Sequence, residues 1–133
     1  KAVLDKLNRE PVVETIYKTG AAIQNGVEDL ILKHGCDDFL SISGKPCWTF
    51  LNIGNLGATS LWDIKTLFLQ EVFKRGVLTL GAHNVSYAHT QSDVGVLLEV
   101  YDDVFPLLKK AGELTNISEY LECEPLKPLF KVR

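Results

Sequence analysis

Phe39-Leu40-Ser41-Ile42-Ser43, Gly44-Lys45-Pro46 and Cys47-Trp48-Thr49-Phe50-Leu51-Asn52-Ile53 follow one another directly. Apolar and small polar residues alternate on both sides of the Gly-Lys-Pro punctuation, the pattern of two strands joined by a turn. The flanks are helical. Upstream, Val13, Ile16, Gly20, Ile23, Val27, Leu30, Ile31 and His34 recur at three-and-four spacing after Pro11, which suits a helix start. Gly35 stands where a left-handed C-terminal cap is wanted. Residues 2–9, with Val3, Leu4 and Leu7, form a weaker helical stretch, read as the tail of a longer helix.

Downstream, Gly54-Asn55-Leu56-Gly57-Ala58 is a loop, and Ser60 with Asp63 has the spacing of a capping box. The helix it opens carries Leu61, Ile64, Leu67, Phe68 and Val72 on one side and closes at Arg75-Gly76. Val77–Leu80 and Asn84–Ala88 read as two further short strands joined by Gly81-Ala82-His83. Thr90 then caps a last long helix, with Asp93 at its third position. Val94, Leu97, Leu98, Tyr101, Val104, Phe105 and Leu108 form its stripe. Pro106 predicts a kink or an early end there. A short helix is expected around Ser118–Leu121, and Glu124–Phe130 reads as an extended, proline-set run. Paired strands between helices favour an α+β fold, a small antiparallel or mixed sheet covered by helices.

At 133 residues the chain has the size of one domain, taken as 1–133. Its 46% apolar content supplies a core, and 23% charged residues leave a soluble surface, which together exclude disorder. No apolar run reaches the ~18 residues of a membrane span, and no signal peptide is recognisable, so a cytoplasmic location is expected. With 17 acidic against 14 basic residues, the net charge of −3 argues against a nucleic-acid binder. A first residue Lys1 and the lack of methionine suggest a piece of a longer polypeptide. Cys36, Cys47 and Cys123 are too few and too irregular for a disulfide framework. His34, Cys36 and Cys47 lack zinc spacing, so buried reduced thiols and no metal are expected. The sequon Asn116-Ile117-Ser118 has no meaning without secretion.

Candidate chemistry is sparse. His89, just before Thr90, suits fixing a turn. His83 and Asn84 lie in a connection, where ligand contacts concentrate, although Asn also favours turns. Gly54-Asn55-Leu56-Gly57 lacks the Lys-Ser/Thr of a P-loop and the third glycine of a dinucleotide fingerprint. Ser41 and Ser43 near Lys45 do not make a nucleophile elbow. Asp37-Asp38 and Asp102-Asp103 read as solvated pairs, and Trp48 and Trp62 as core or interface aromatics. No lysine stands in a context that demands a Schiff base. No complete active site can be assembled, so no catalytic residue is expected in this chain.

Arg75-Gly76-Val77-Leu78-Thr79-Leu80 followed by Asn84-Val85-Ser86-Tyr87-Ala88-His89-Thr90-Gln91-Ser92-Asp93-Val94 resembles the C-terminal end of class III pyridoxal-phosphate (PLP) aminotransferases, in particular the glutamate-1-semialdehyde aminomutase-like branch. Upstream, Ser43-Gly44 and Cys47–Ile53 fit the same pattern, as does the ending Pro128-Leu129-Phe130-Lys131-Val132-Arg133. The resemblance implies the small C-terminal domain of a fold-type-I enzyme, closing one wall of an active site for amino-group transfer. It places the cofactor lysine and phosphate loops in a large domain upstream of Lys1. No cofactor is then expected on this chain alone, which would be inactive and monomeric, while the full-length enzyme would be a homodimer holding PLP. Two departures stand out: the position matching a carboxylate-clamping arginine is Asn84, and Gly81-Ala82-His83 is short and lacks the aminomutase's acid. They imply an aminomutase-like aminotransferase, with an amino- or keto-sugar as candidate substrate facing His83 and Asn84. The residues also admit a free-standing, ligand-binding regulatory α+β module of ferredoxin-like type, or a dimerisation domain without chemistry.

Overall fold

The computed structural model describes residues 1–114 and 117–128. Along them run α1 (Ala2–Arg9), α2 (Val12–Lys33), β1 (Leu40–Lys45), β2 (Trp48–Ile53), α3 (Leu61–Lys74), β3 (Ala82–Asn84), α4 (Gln91–Glu113) and a 3₁₀ turn (Ile117–Tyr120). The strands form one antiparallel sheet in the order β1-β2-β3. The fold is α+β, as the strand pairing in the sequence predicts.

Helix ends follow local signals. Gly35 and Gly76 both take positive φ, 58° and 81°. At each, the two amides that follow the helix bond back into its last turn: Gly35 N–H to Leu32 and Cys36 N–H to Ile31, Gly76 N–H to Phe73 and Val77 N–H to Val72. This double closure satisfies carbonyls that a helix end otherwise leaves bare, and it requires the left-handed glycine. Thr90 and Asp93 make a reciprocal capping box on α4. At α3 only half of that device forms: Ser60 Oγ accepts from Trp62 and Asp63 N–H, while Asn55 Oδ1 takes the Leu61 amide.

Strand alternation buries Leu40, Thr49, Leu51 and His83 on one face of the sheet. Helices α2, α3 and α4 pack together, α2 also resting on β1. Their fully buried side chains include Val27, Ile64, Leu67, Phe68, Tyr101, Val104, Phe105 and Leu108. A cluster of this kind supplies most of the folding drive, about 1.5–3 kcal/mol for each large apolar side chain removed from water. Where α2 crosses the hairpin turn, a Cβ on Gly20 would sit 1.7 Å from the Pro46 carbonyl oxygen. No side chain fits there, so this glycine sets how closely helix and hairpin approach.

Two strands expected from the sequence do not form, and one of the two outcomes expected at Pro106 does not occur. Val77–Leu80 is not a strand, because Thr79 Oγ1 accepts from Gly81 N–H and donates to the Ala82 carbonyl, curling the chain before it reaches the sheet. Asn84–Ala88 is not one either: the strand ends at Asn84, its last ladder bond comes from Val85 N–H, and Ser86–His89 closes a turn. The supposed connection therefore holds the real strand, Ala82–Asn84. Lastly, α4 does not end early at Pro106. The ring is exposed, and the helix continues past it to Glu113.

The segment after α4 is stitched to α3. Gln70 bonds both the Tyr120 carbonyl and the Glu122 amide, and Thr66 Oγ1 accepts from Leu126 N–H. Residues 124–128 have no regular secondary structure, and 129–133, with Asn116 of the sequon, lie outside the described residues.

Candidate functional site

β3 is three residues long, yet it positions the main groove. Its register pairs Trp48 with Asn84, Thr49 with His83 and Phe50 with Ala82. The ladder continues on either side through Leu51 N–H to Gly81 O and Val85 N–H to Cys47 O. Alternation turns His83 inward and leaves Ala82 and Asn84 exposed. Beside the strand lies an open groove of about 580 Å³, lined by the 76–79 segment, by His83, Asn84 and His89, and by Asp93, Val94 and Leu97 of α4.

His83 is 6% exposed, and both ring nitrogens are engaged. Nδ1 lies 2.9 Å from Thr49 Oγ1 and Nε2 lies 2.8 Å from the Tyr101 hydroxyl. Burial pushes the imidazole down to about 4, so it is neutral at physiological pH. A neutral ring has one N–H and one lone pair, hence one hydroxyl donates to it and the other accepts. The same burial raises the Tyr101 phenol. The Tyr101 ring also contacts Phe68 and Phe105, which anchors the network in the core.

Other residues singled out in the sequence settle as follows. His89 Nδ1 accepts from Ser86 N–H at 2.9 Å and so fixes the turn into α4. Asp93 is held below the usual carboxylate range, chiefly by the Thr90 backbone amide it accepts from. Asp102 is not a free solvated acid. It accepts from Lys33 Nζ at 2.6 and 2.7 Å and meets His34 Nε2 at 2.6 Å, tying the end of α2 to α4, and these bonds lower its pKa, that from Lys33 most. Asp103 lies 3.7 Å from Arg75 Nε, and Asp37 and Asp38 are exposed.

Of the three thiols expected to be buried, Cys36 is, while Cys47 is part-buried and Cys123 exposed. Cys36 lies against the His34 and Phe105 carbonyls, and burial pushes its thiol up to about 11, leaving a poor nucleophile. No three His, Cys, Asp or Glu side chains gather as metal ligands among the described residues. Neither tryptophan is in the core: Trp48 is 55% exposed on the outer face of the sheet against Phe50, and Trp62 is part-buried.

The sequence reading missed Thr49 and Tyr101 as partners of His83. Thr49 was one polar residue of an alternating strand and Tyr101 one member of an apolar stripe. The available signal was a hydroxyl at an inward position, which demands a partner when buried.

The groove does not by itself suit PLP. No lysine lines it to form a Schiff base, and no cation stands ready for the phosphate. The nearby α4 N-terminus is already occupied by the Asp93 carboxylate.

The architecture is thus a helix-covered three-stranded sheet carrying a groove over a buried His–Tyr–Thr network. Among solved structures, the chain is similar to the FumI protein of Sphingopyxis sp. MTA144 in its PLP internal aldimine form, at TM-score 0.65 and 24% identity. The match covers 92% of this chain and 27% of that one, so the chain corresponds to about a quarter of FumI. At this identity the likeness is one of fold. No protein-family model matches the chain, and no curated protein does.

Proposed function

We propose that this chain is the small C-terminal domain of a PLP-dependent enzyme of the class III aminotransferase kind, close to the glutamate-1-semialdehyde aminomutase-like branch. The observation that carries the reading is the fold likeness to FumI, which extends over nearly the whole chain. The run from Arg75 to Val94 supports it independently, by its resemblance to that class. In this reading a large domain of the same polypeptide carries the cofactor, and this domain supplies a wall.

In that arrangement Asn84, exposed at the groove, meets the substrate through its amide. His83 forms the floor and holds β3 in register through Thr49 and Tyr101. Asn84 offers hydrogen bonds without charge, which fits hydroxyl or carbonyl groups, such as those of an amino- or keto-sugar, better than a carboxylate. The full-length protein is then a cytoplasmic homodimer, and the domain alone is monomeric and inactive. Among the described residues no helix is long and apolar enough to cross a membrane.

The test is to express the natural reading frame that encodes this chain, record the visible absorbance of bound PLP, and assay amino transfer from an amine to a keto acid. Cofactor absorbance together with turnover supports the reading. A purified product with no PLP absorbance sinks it and leaves a free-standing ligand-binding module.

A further inference from the structure

A second groove, of about 430 Å³, lies between β2, the Leu80–Ala82 turn and the first turns of α3. That is within the size range of small-molecule sites, roughly 300–1,000 Å³. Phe50, Trp62 and Leu80 give it apolar walls; Ser43, Asn52 and Lys65 are its polar groups. Lys65 is its one charged lining residue.

Among the described residues, Lys65 has no acidic or carbonyl partner, although it is part-buried. The other part-buried basic side chains are paired: Arg75 with Glu71, and Lys109 with the Gly35 carbonyl. An ammonium with three donors in a partly dried groove lined by aromatic rings is complementary to an anion with an apolar body. The α3 N-terminus cannot supply this attraction, because Ser60 and Asn55 already take its first amides. Ser43 Oγ accepts from Asn52 Nδ2 at 3.0 Å, which leaves the hydroxyl proton of Ser43 free to donate into the groove.

We propose that this groove binds a small organic carboxylate, its carboxylate on Lys65 Nζ and the Ser43 hydroxyl and its hydrocarbon part against Trp62 and Phe50. The site is distinct from the groove over His83 and does not depend on the cofactor assignment.

The test titrates the full-length gene product with sodium hexanoate, following heat and tryptophan fluorescence, with hexan-1-ol and inorganic phosphate as comparison probes. Hexanoate binds, and more tightly than either comparison probe. Lys65→Gln weakens hexanoate about tenfold or more, as loss of a charge-assisted bond implies, whereas Lys65→Arg recovers most of it. Hexan-1-ol binding does not change in Lys65→Gln. If that variant fails to fold, Ser43→Ala carries the test, with an expected loss of about fivefold. Equal hexanoate affinity in the wild type and Lys65→Gln would overturn the proposal. So would no hexanoate binding at all, as when another part of the polypeptide covers the groove, or phosphate binding more tightly than hexanoate.

Discussion

The two grooves meet at Ala82, but they are built in opposite ways. The larger rests on a satisfied interior: every ring nitrogen of His83 has a partner, and that partner is packed in the core. The smaller leaves its only charge unanswered and its aromatic walls part-exposed. A floor of buried hydrogen bonds fixes geometry at the expense of stability whenever one member is removed. A solvated wall costs the fold little to change and is free to be spent on recognition. Stability should therefore be sensitive to substitution on one side of β3 and indifferent on the other.

The largest effect is expected from Tyr101→Ala, which empties a fully buried aromatic site and strands His83 Nε2. A loss of about 3–5 kcal/mol in urea unfolding is the expectation. A loss below about 1 kcal/mol would mean that the floor is not rigid, and the contrast between the grooves would break.

Acidity probes the same floor without mutation. The His83 pKa is depressed to about 4 in the fold from a reference of 6.5, so between those values the unfolded chain binds the extra proton. Its contribution to stability is present above about pH 6.5 and is lost as pH falls towards 4, to the extent of about 3 kcal/mol. Unfolding free energy measured across this window should fall accordingly, and the fall should be shallower in His83→Gln. Identical slopes in the two proteins would assign the acid sensitivity to carboxylates such as Asp102 instead.

Tyr101→Phe keeps the ring and removes only the hydroxyl. It should cost about 1–3 kcal/mol, the penalty of an unsatisfied buried nitrogen. The smallest effects belong to exposed or part-exposed residues at the grooves. Asn84→Ala and Lys65→Gln should each change stability by no more than about 0.5 kcal/mol. If the proposed function holds, Asn84→Ala in the full-length protein should raise KM for the amino-transfer substrate while leaving PLP absorbance intact. Steady-state kinetics with unchanged KM would remove Asn84 from the substrate wall.

The helices and the first hairpin were legible because their determinants are local. A capping box spans four residues, a Gly-closed helix end spans six, and strand alternation repeats every two. Gly35, Gly76, Thr90 and Asp93 therefore stand where the sequence puts them. The segment from Val77 to Ala88 was misread because its apolar residues allow a strand on either side of Gly81. Thr79 and the turn at Ser86 decide otherwise, through bonds that the pattern does not display. His83 and Asn84 were picked out together, but only the register of β3 shows that one is the buried floor of the groove and the other is exposed at it.

By itself, then, the sequence determined the fold class, the starts of α3 and α4, the Gly-closed ends of α2 and α3, and the β1–β2 pairing, since each depends on residues within one or two turns of one another. The tertiary structure alone decided the rest. Thr49 and His83 are 34 positions apart and meet only because β3 joins the sheet, and Gly20 matters only because the Pro46 carbonyl passes against it. Among the described residues Lys65 has no acidic partner, because the packing of α3 against the sheet brings it none. Burial and partnership are relations between distant segments, and no local pattern encodes them.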